Sequence, residues 1–411
     1  MTESCCRFCQ SPLTTTFVDL GMSPLSNAYI AEGELRSGET FYPLHTFVCA
    51  HCFLVQLEEF ETPDKIFSEY AYFSSYSETW LNHAKRYVDS MVTRFGLSCQ
   101  HQVVEVASND GYLLQYFHEK GVPVLGVEPA VNVAKVAQDK GIASVVRFFN
   151  EETARELAGQ GKQADLLLGN NVLAHVPDIN DFVRGMALLL KANGVITMEF
   201  PHLLQLIEHN QFDTIYHEHF SYLSLLTVQQ IFAEHGLRIF DVEQLPTHGG
   251  SLRIYACHVY NDDYPQSHRV ADLQNAEVGG GLDRLETYQV FSQRVYRAKR
   301  ELLKFFIAAQ EAGKSVVGYG AAAKGNTLLN YCGIKADFME YVVDRSPHKQ
   351  GRYLPGTHIP IYEPEQVAKT KPDYLVVLPW NIKEEVVEQM THIREWGGRF
   401  VVPIPTVEVF D

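Results

Sequence analysis

The chain has 411 residues, 46% hydrophobic and 20% charged, a composition for globular protein with more than one core. Fifty acidic against thirty-four basic residues leave a formal charge of −16, so duplex nucleic acid would be repelled and small ligands are the expected partners. No apolar run approaches the ~20 residues of a membrane span, and no signal-peptide core opens the sequence, so neither membrane nor nucleic acid is expected as a partner and a cytoplasmic location is.

Residues 1–66 predict short strands, at 44–48 and 54–57, and hold Cys5, Cys6, Cys9, Cys49 and Cys52. Cys6-Arg-Phe-Cys9 and Cys49-Ala-His-Cys52 are two C-x-x-C knuckles. Each presents two sulfurs from one tight turn, and a segment with so little core gains folding energy from a metal, so Cys6, Cys9, Cys49 and Cys52 are the expected ligands of a structural Zn²⁺. Cys5 is expected to stand outside that set, and a redox pair is the competing reading.

Residues 67–100 read as helical, with Trp80, Leu81, Ala84, Tyr87, Val88 and Met91 at helical spacing. Strands are then predicted at 103–107, 124–127, 143–147, 166–170 and 195–200, with helices at 113–119, 130–140 and 179–190. This alternation predicts a parallel sheet with helices on both faces. Two more strands, 237–244 and 251–258, are separated only by a His-Gly-Gly turn and predict an antiparallel hairpin closing the sheet. Residues 261–281 read as a linker and 282–312 as one long amphipathic helix. A second, smaller strand–helix series follows, with strands at 315–318, 338–343, 374–378 and 399–402. The expected domains are 1–66, 67–265 and 266–411, and the fold class is α/β with two Rossmann-like units behind a small zinc-binding domain.

The first βα turn carries Glu105-Val-Ala107-Ser-Asn109-Asp-Gly111, without the glycines that let a pyrophosphate approach. Gly126-Val-Glu128-Pro129 places a carboxylate at the next strand tip, where it could take both ribose hydroxyls, and Asn170-Asn171 ends the fourth strand, where an ammonium could be received. Together these resemble the S-adenosylmethionine site of class I methyltransferases. Polar density is high at Tyr70-Ala-Tyr72, Ala174-His175-Val-Pro, Pro201-His202 and Tyr216-His-Glu218-His219-Phe. Histidine suits proton abstraction near neutral pH, and Glu218 could orient it or a substrate hydroxyl. The bland alternative for each histidine is a hydrogen-bonded structural role. His217-Glu-His219 lacks the i, i+4 spacing of a zinc-binding helix.

In the C-terminal unit, Gly318-Tyr-Gly320-Ala-Ala-Ala-Lys324-Gly325 follows a strand, and Asp344 ends the next. The glycine spacing is longer than the dinucleotide fingerprint, which argues against a full NAD site. This unit is expected to bind substrate, with Lys324, Lys349 or Arg352 meeting a pyrophosphate, rather than a second cofactor.

Taken in order, Cys₄, Glu-x-x-x-Asn-Asp-Gly, Gly-Val-Glu-Pro-Ala, Asn-Asn-Val-x-Ala-His-Val, Glu-Phe-Pro, Tyr-His-Glu-His-Phe, His-Gly-Gly-Ser-Leu-Arg and Gly-x-Gly-Ala-x-x-Lys-Gly resemble the sugar-nucleotide C-3′-methyltransferases along essentially the whole chain. The resemblance implies methyl transfer from S-adenosylmethionine to carbon 3 of a nucleotide-linked 4-keto-6-deoxy or 2,6-dideoxy sugar. It implies His219 as base, with Tyr216, Glu218, His175 and Tyr70 around it. Tyr72, His202, His248, Ser251, Lys324, Asn326, Lys349 and Arg352 are the substrate-facing candidates. An NAD(P)-dependent sugar-nucleotide oxidoreductase and a non-enzymatic zinc adaptor are the rival readings. The nucleotide and the oligomeric state are left open, a monomer included.

Overall fold

The structure is a computed structural model that describes residues 4–62, 74–76 and 78–411; Tyr70 and Tyr72 lie outside the described residues. The described residues form three sheets. In the first, β1 (Thr15–Ser23), β2 (Tyr42–Val48) and β3 (Val55–Leu57) pair antiparallel. The sequence reading did not include β1, whose pairing shifts register twice and whose alternation is broken by Gly21. The fourth strand of this sheet is residues 221–222, directly after the Tyr216–Phe220 motif.

The second unit runs α1 (Glu78–Phe95), β4 (Val103–Val106), α2 (Leu114–Glu119), β5 (Val124–Val127), α3 (Val131–Asp139), β6 (Ser144–Val145), α4 (Glu151–Gly159), β7 (Ala164–Asn170), α5 (Ile179–Leu189), β8 (Leu190–Pro201), α6 (Leu203–Glu208), β9 (Ser221–Tyr222), α7 (Leu225–Glu234), β10 (Leu237–Leu245) and β11 (Ser251–His258). Helices α4, α6 and α7 have no counterpart among the elements expected from the sequence. The seven-stranded sheet has the order β10-β11-β8-β7-β4-β5-β6. Strands β4 to β8 are parallel, and β11 runs antiparallel to both β8 and β10, as the hairpin reading required. The chain winds outward from β4 to β6 and then returns to β7 on the other side of β4. The crevice at the carboxyl ends of β4 and β7 is therefore the switch point where such sheets hold ligands.

Beyond β11 come α8 (His268–Gly279), α9 (Leu285–Gln289), α10 (Phe291–Glu311), β12 (Val316–Tyr319), α11 (Ala323–Cys332), β13 (Val342–Val343), β14 (Ile361–Tyr362), α12 (Gln366–Thr370), β15 (Tyr374–Val377), α13 (Lys383–Gln389), β16 (Arg399–Val402) and β17 (Glu408–Phe410). The 261–281 linker is corrected: most of it is α8, because Val270, Leu273 and Glu277 recur on one buried face and Ser267 caps its first turn. The single helix over 282–312 is also corrected, since it breaks at Val290 between α9 and α10. The third sheet has the order β14-β13-β12-β15-β16-β17, parallel except for β17, so its switch point lies between β12 and β15.

The first sheet is wedged between the other two units. On one side Cys6, Cys49, Cys52 and Leu54 share a buried cluster with Val228, Ile231 and the middle sheet. On the other, Phe17 stacks on Phe291 of α10, ring centroids 4.5 Å apart, both fully buried. Truncating either ring to alanine would cost about 3–5 kcal/mol.

Candidate active site and metal centre

The turn after β4 achieves with a single glycine what a glycine-rich turn does. Ala107 (φ 55°), Asn109 (φ 50°) and Gly111 (φ 75°) all have left-handed backbone, and a Cβ on Gly111 would fall 2.4 Å from Ile142. Glu105 is 1% exposed, and neither carboxylate oxygen has a hydrogen-bond partner among the described residues. Burial, then the charges of Glu128 and Asp110, push its pKa well above the usual carboxylate range. A buried acid left open at a switch point fits a cationic ligand, and the ammonium and sulfonium of S-adenosylmethionine are of that kind. Glu128 accepts the N–H groups of Asn109 (2.9 Å) and Ala130 (2.8 Å), while burial raises its pKa. It thus closes the 107–111 turn onto the next strand, with Pro129 between its carboxylate and Ala130. At the end of β7, Asn170 lies 3.5 Å from the Tyr112 hydroxyl, and Asn171 (φ 54°) contacts the His248 ring at 2.7 Å.

Three half-buried rings meet beside this crevice. His219 packs against Tyr216 (centroids 4.0 Å apart) and edge-on against His175 (4.7 Å). Its Nδ1 is 2.8 Å from the Thr214 carbonyl, which can only accept, so Nδ1 carries the proton and Nε2 the lone pair. Burial, then the neighbouring His175, hold its pKa well below the ordinary histidine value, so the ring is neutral at pH 7. Burial takes His175 and His248 each down to about 4. Glu218 is buried, its pKa raised to about 7, and its Oε1 accepts from Asn27 Nδ2 at 2.5 Å.

The C-terminal unit faces the same place. Lys324 Nζ lies 4.4 Å above the Trp380 ring and donates to Asn381 Oδ1 at 2.7 Å. Trp380 Nε1 donates to Asp213 at 2.7 Å, and a Cβ on Gly249 would strike the Trp380 ring at 2.5 Å. Burial lowers Lys324 to about 8 and raises Asp213 to about 6, each effect opposed by the other group's charge. Lys349 reaches the Ala321 carbonyl (2.9 Å) and the Tyr29 ring, and Arg352 is exposed beside the Tyr29 carbonyl.

Some candidates sit elsewhere. His202 is 2% exposed and gives Nε2 to Glu277 of α8 at 2.7 Å, so it braces β8 against a helix read as linker. Asn326 is buried with its amide on the Ser26 carbonyl, and Ser251 is buried with its hydroxyl on the Thr247 carbonyl. His248 adopts φ 55° in the turn before β11. That turn is held by a network the sequence reading missed. Glu199 accepts from Thr247 (2.9 Å), His83 (2.9 Å) and Arg253 (2.7 Å), and although burial opposes it, the bond to His83 and the charge of Arg253 hold its pKa at about 2. Its signal was present in Glu-Phe-Pro and Gly-Ser-Leu-Arg, but only the sheet register, which puts Glu199 opposite Arg253, joins them.

At the metal centre the four sulfurs of Cys6, Cys9, Cys49 and Cys52 lie within 4.8 Å of one another, with Cys6–Cys52 at 3.6 Å and Cys9–Cys49 at 3.5 Å. Tetrahedral Zn–S bonds of ~2.3 Å separate sulfurs by ~3.8 Å, so the residues fit a zinc ion. Exposed Cys5 stands outside the set. The first knuckle also touches the loops that carry His175 and His219. Arg7 donates to the Pro177 carbonyl (2.7 Å) and to that of Leu57, and lies over the Phe220 ring. Phe220 in turn donates its N–H to Ala174 at 2.8 Å.

The fold, the open acid at the β4 turn and the strand order define a class I S-adenosylmethionine-dependent methyltransferase with a Cys₄ zinc-type centre. Family profiles described as "Putative zinc binding domain", "Methyltransferase domain" and "C-methyltransferase C-terminal domain" match residues 6–67, 80–242 and 246–405. The C-methyltransferase NovU of Streptomyces niveus is 37% identical over 404 residues, 98% of this chain and 96% of NovU. The chain belongs to this C-methyltransferase family, which sets aside the oxidoreductase and adaptor readings. A ubiquinone biosynthesis O-methyltransferase of Azorhizobium caulinodans is 29% identical over 96 residues, 23% of this chain and 38% of that protein. The magnesium protoporphyrin IX methyltransferase of Synechocystis PCC 6803, solved with S-adenosylmethionine, is 16% identical over 44% of this chain and 82% of its own, with a TM-score of 0.33. No described helix is long and apolar enough to cross a membrane.

Proposed function

We propose that the enzyme methylates carbon 3 of a nucleotide-linked 4-keto-6-deoxy or 2,6-dideoxy sugar, in branched-chain deoxysugar biosynthesis. The observation that carries this is the His219 ring: its tautomer is fixed by Thr214, leaving Nε2 as a neutral acceptor among Tyr216, His175 and the half-buried Lys324. A proton alpha to a ketone is acidic only when the enolate is stabilised, so the base needs donors beside it. His219 Nε2 takes the carbon-3 proton. Tyr216 and His175 hold the ketone oxygen as charge develops there, and Glu218 accepts a sugar hydroxyl. S-adenosylmethionine supplies the electrophilic methyl. Glu105, Ala107, Asn109, Gly111, Glu128, Pro129, Asn170 and Asn171 hold that donor so that the nucleophilic carbon and the methyl face each other.

The second switch point, between β12 and β15, opens on this centre, and Lys324 with Lys349 and Arg352 receives the pyrophosphate there. We assign residues 1–66, 67–265 and 266–411 to zinc binding, methyl transfer and sugar-nucleotide binding. Eight free thiols, four of them in a metal-type cluster, accord with a reducing, cytoplasmic setting. Incubation with S-adenosylmethionine and a panel of thymidine-, guanosine- and cytidine-linked 4-keto sugars, read by mass spectrometry, tests the reading. It expects a gain of one CH₂ on one sugar; unmodified sugars throughout would contradict it.

A further inference from the structure

We infer that the zinc-bearing N-terminal unit places a residue in the catalytic centre itself: Asn27 is a positioning residue for Glu218. The inference rests on the reading of Tyr216–His219 as the reacting centre. Residues 24–30 follow β1 and pass between that segment and the C-terminal sheet, fastened on both sides. The Ser26 carbonyl accepts from Asn326, and the Tyr29 hydroxyl donates to the Ala321 carbonyl at 2.5 Å. Ile30 and Tyr353 exchange backbone hydrogen bonds of 3.0 and 2.9 Å.

Between these anchors Asn27 is exposed, yet its Nδ2 donates to the buried Glu218 at 2.5 Å. Its Oδ1 lies 3.3 Å from the Tyr29 hydroxyl, whose proton goes to the Ala321 carbonyl, so it is the Glu218 carboxylate that draws the NH₂ end of the amide toward itself. An exposed amide on an otherwise free loop would stay solvated. Here the backbone on either side is already ordered, so the bond forms at little further entropic cost, and Glu218 is aimed from outside its own element. The assignment also gives the four-stranded sheet a function beyond scaffolding, because the same chain segment ties the catalytic carboxylate to the loop after β12.

Two variants test this, Asn27→Ala and the isosteric Asn27→Asp, in the full-length zinc-loaded enzyme. Both are expected to lower kcat about 10- to 100-fold on whichever panel sugar is methylated, with KM changed by less than about threefold. Calorimetric affinity for S-adenosylhomocysteine and zinc content should stay at wild-type values. In a Glu218→Ala background, Asn27→Ala should have no further effect on kcat, because its partner is gone. Full additivity of the two changes, or a wild-type kcat in both Asn27 variants, would overturn the assignment. Should the wild type methylate no sugar of the panel, the substrate reading fails first, and amide exchange still decides this one. Faster exchange at 216–220 in both Asn27 variants supports the link, and unchanged exchange refutes it.

Discussion

Two sheets in this chain share the same winding, with a first strand flanked by the second and the fourth, yet their first turns are used in opposite ways. After β4 the turn has a single glycine and leaves a buried carboxylate, Glu105, without a hydrogen-bond partner among the described residues. After β12 the turn is rich in glycine, but its space and polar groups are spent inside the protein. A Cβ on Gly320 would lie 2.5 Å from Pro379, and one on Gly325 3.0 Å from Leu378. Asp344 already accepts the Ala321 N–H at 2.8 Å and the Ser346 N–H at 2.8 Å. Ligand capacity at a switch point therefore follows from which polar atoms the fold leaves open there. The count of glycines in the turn is a poor guide to it.

Removing the metal strikes hardest, because the first sheet buttresses both histidine loops. Chelation of the reduced enzyme should abolish methyl transfer and raise amide exchange at 174–177 and 216–222, through loss of the Arg7–Pro177 bond and the β3–β9 pairing. Exchange there equal to that of the metal-loaded enzyme would separate the centre from the histidine loops. The two switch points are then split by paired substitutions. Glu105→Ala should weaken S-adenosylhomocysteine binding about 100-fold by calorimetry, as expected when a charged hydrogen-bond partner is lost, whereas Asp344→Ala should shift it less than about threefold. Equal effects would erase the contrast.

A smaller effect separates them by pH. Lys324 is held at about 8, charged below that pH and neutral above it, so KM for the sugar nucleotide should climb about tenfold as pH rises through 8. Lys324→Gln should show the high KM at every pH. His219, held well below the ordinary histidine range, should keep the acid limb of kcat below pH 6.5.

Local pattern carried much of this. Alternating apolar runs gave both doubly wound sheets, and two C-x-x-C knuckles gave the metal centre, because each signal lies within a few residues. The misses are long-range. Helix α8 was hidden behind Gly279–Gly281, although its buried Glu277 caps α7 through the N–H groups of Leu225 and Leu226. Glu199, His83 and Arg253 come from three elements, and only the register of β8 against β11 assembles them. His202 looked substrate-facing for its place after a strand, but a partner 75 residues away takes its imidazole. Trp380 and Asp213 have no motif at all; their meeting depends on how the third sheet docks.

The central claim, that His219 deprotonates the sugar beside the methyl donor site, is tested most directly by solvent deuterium exchange at carbon 3 with S-adenosylhomocysteine in place of the donor. Wild-type enzyme should exchange that position, and His219→Ala should slow it about 10²-fold or more. Exchange by His219→Ala at the wild-type rate would contradict the account and move the base to another residue.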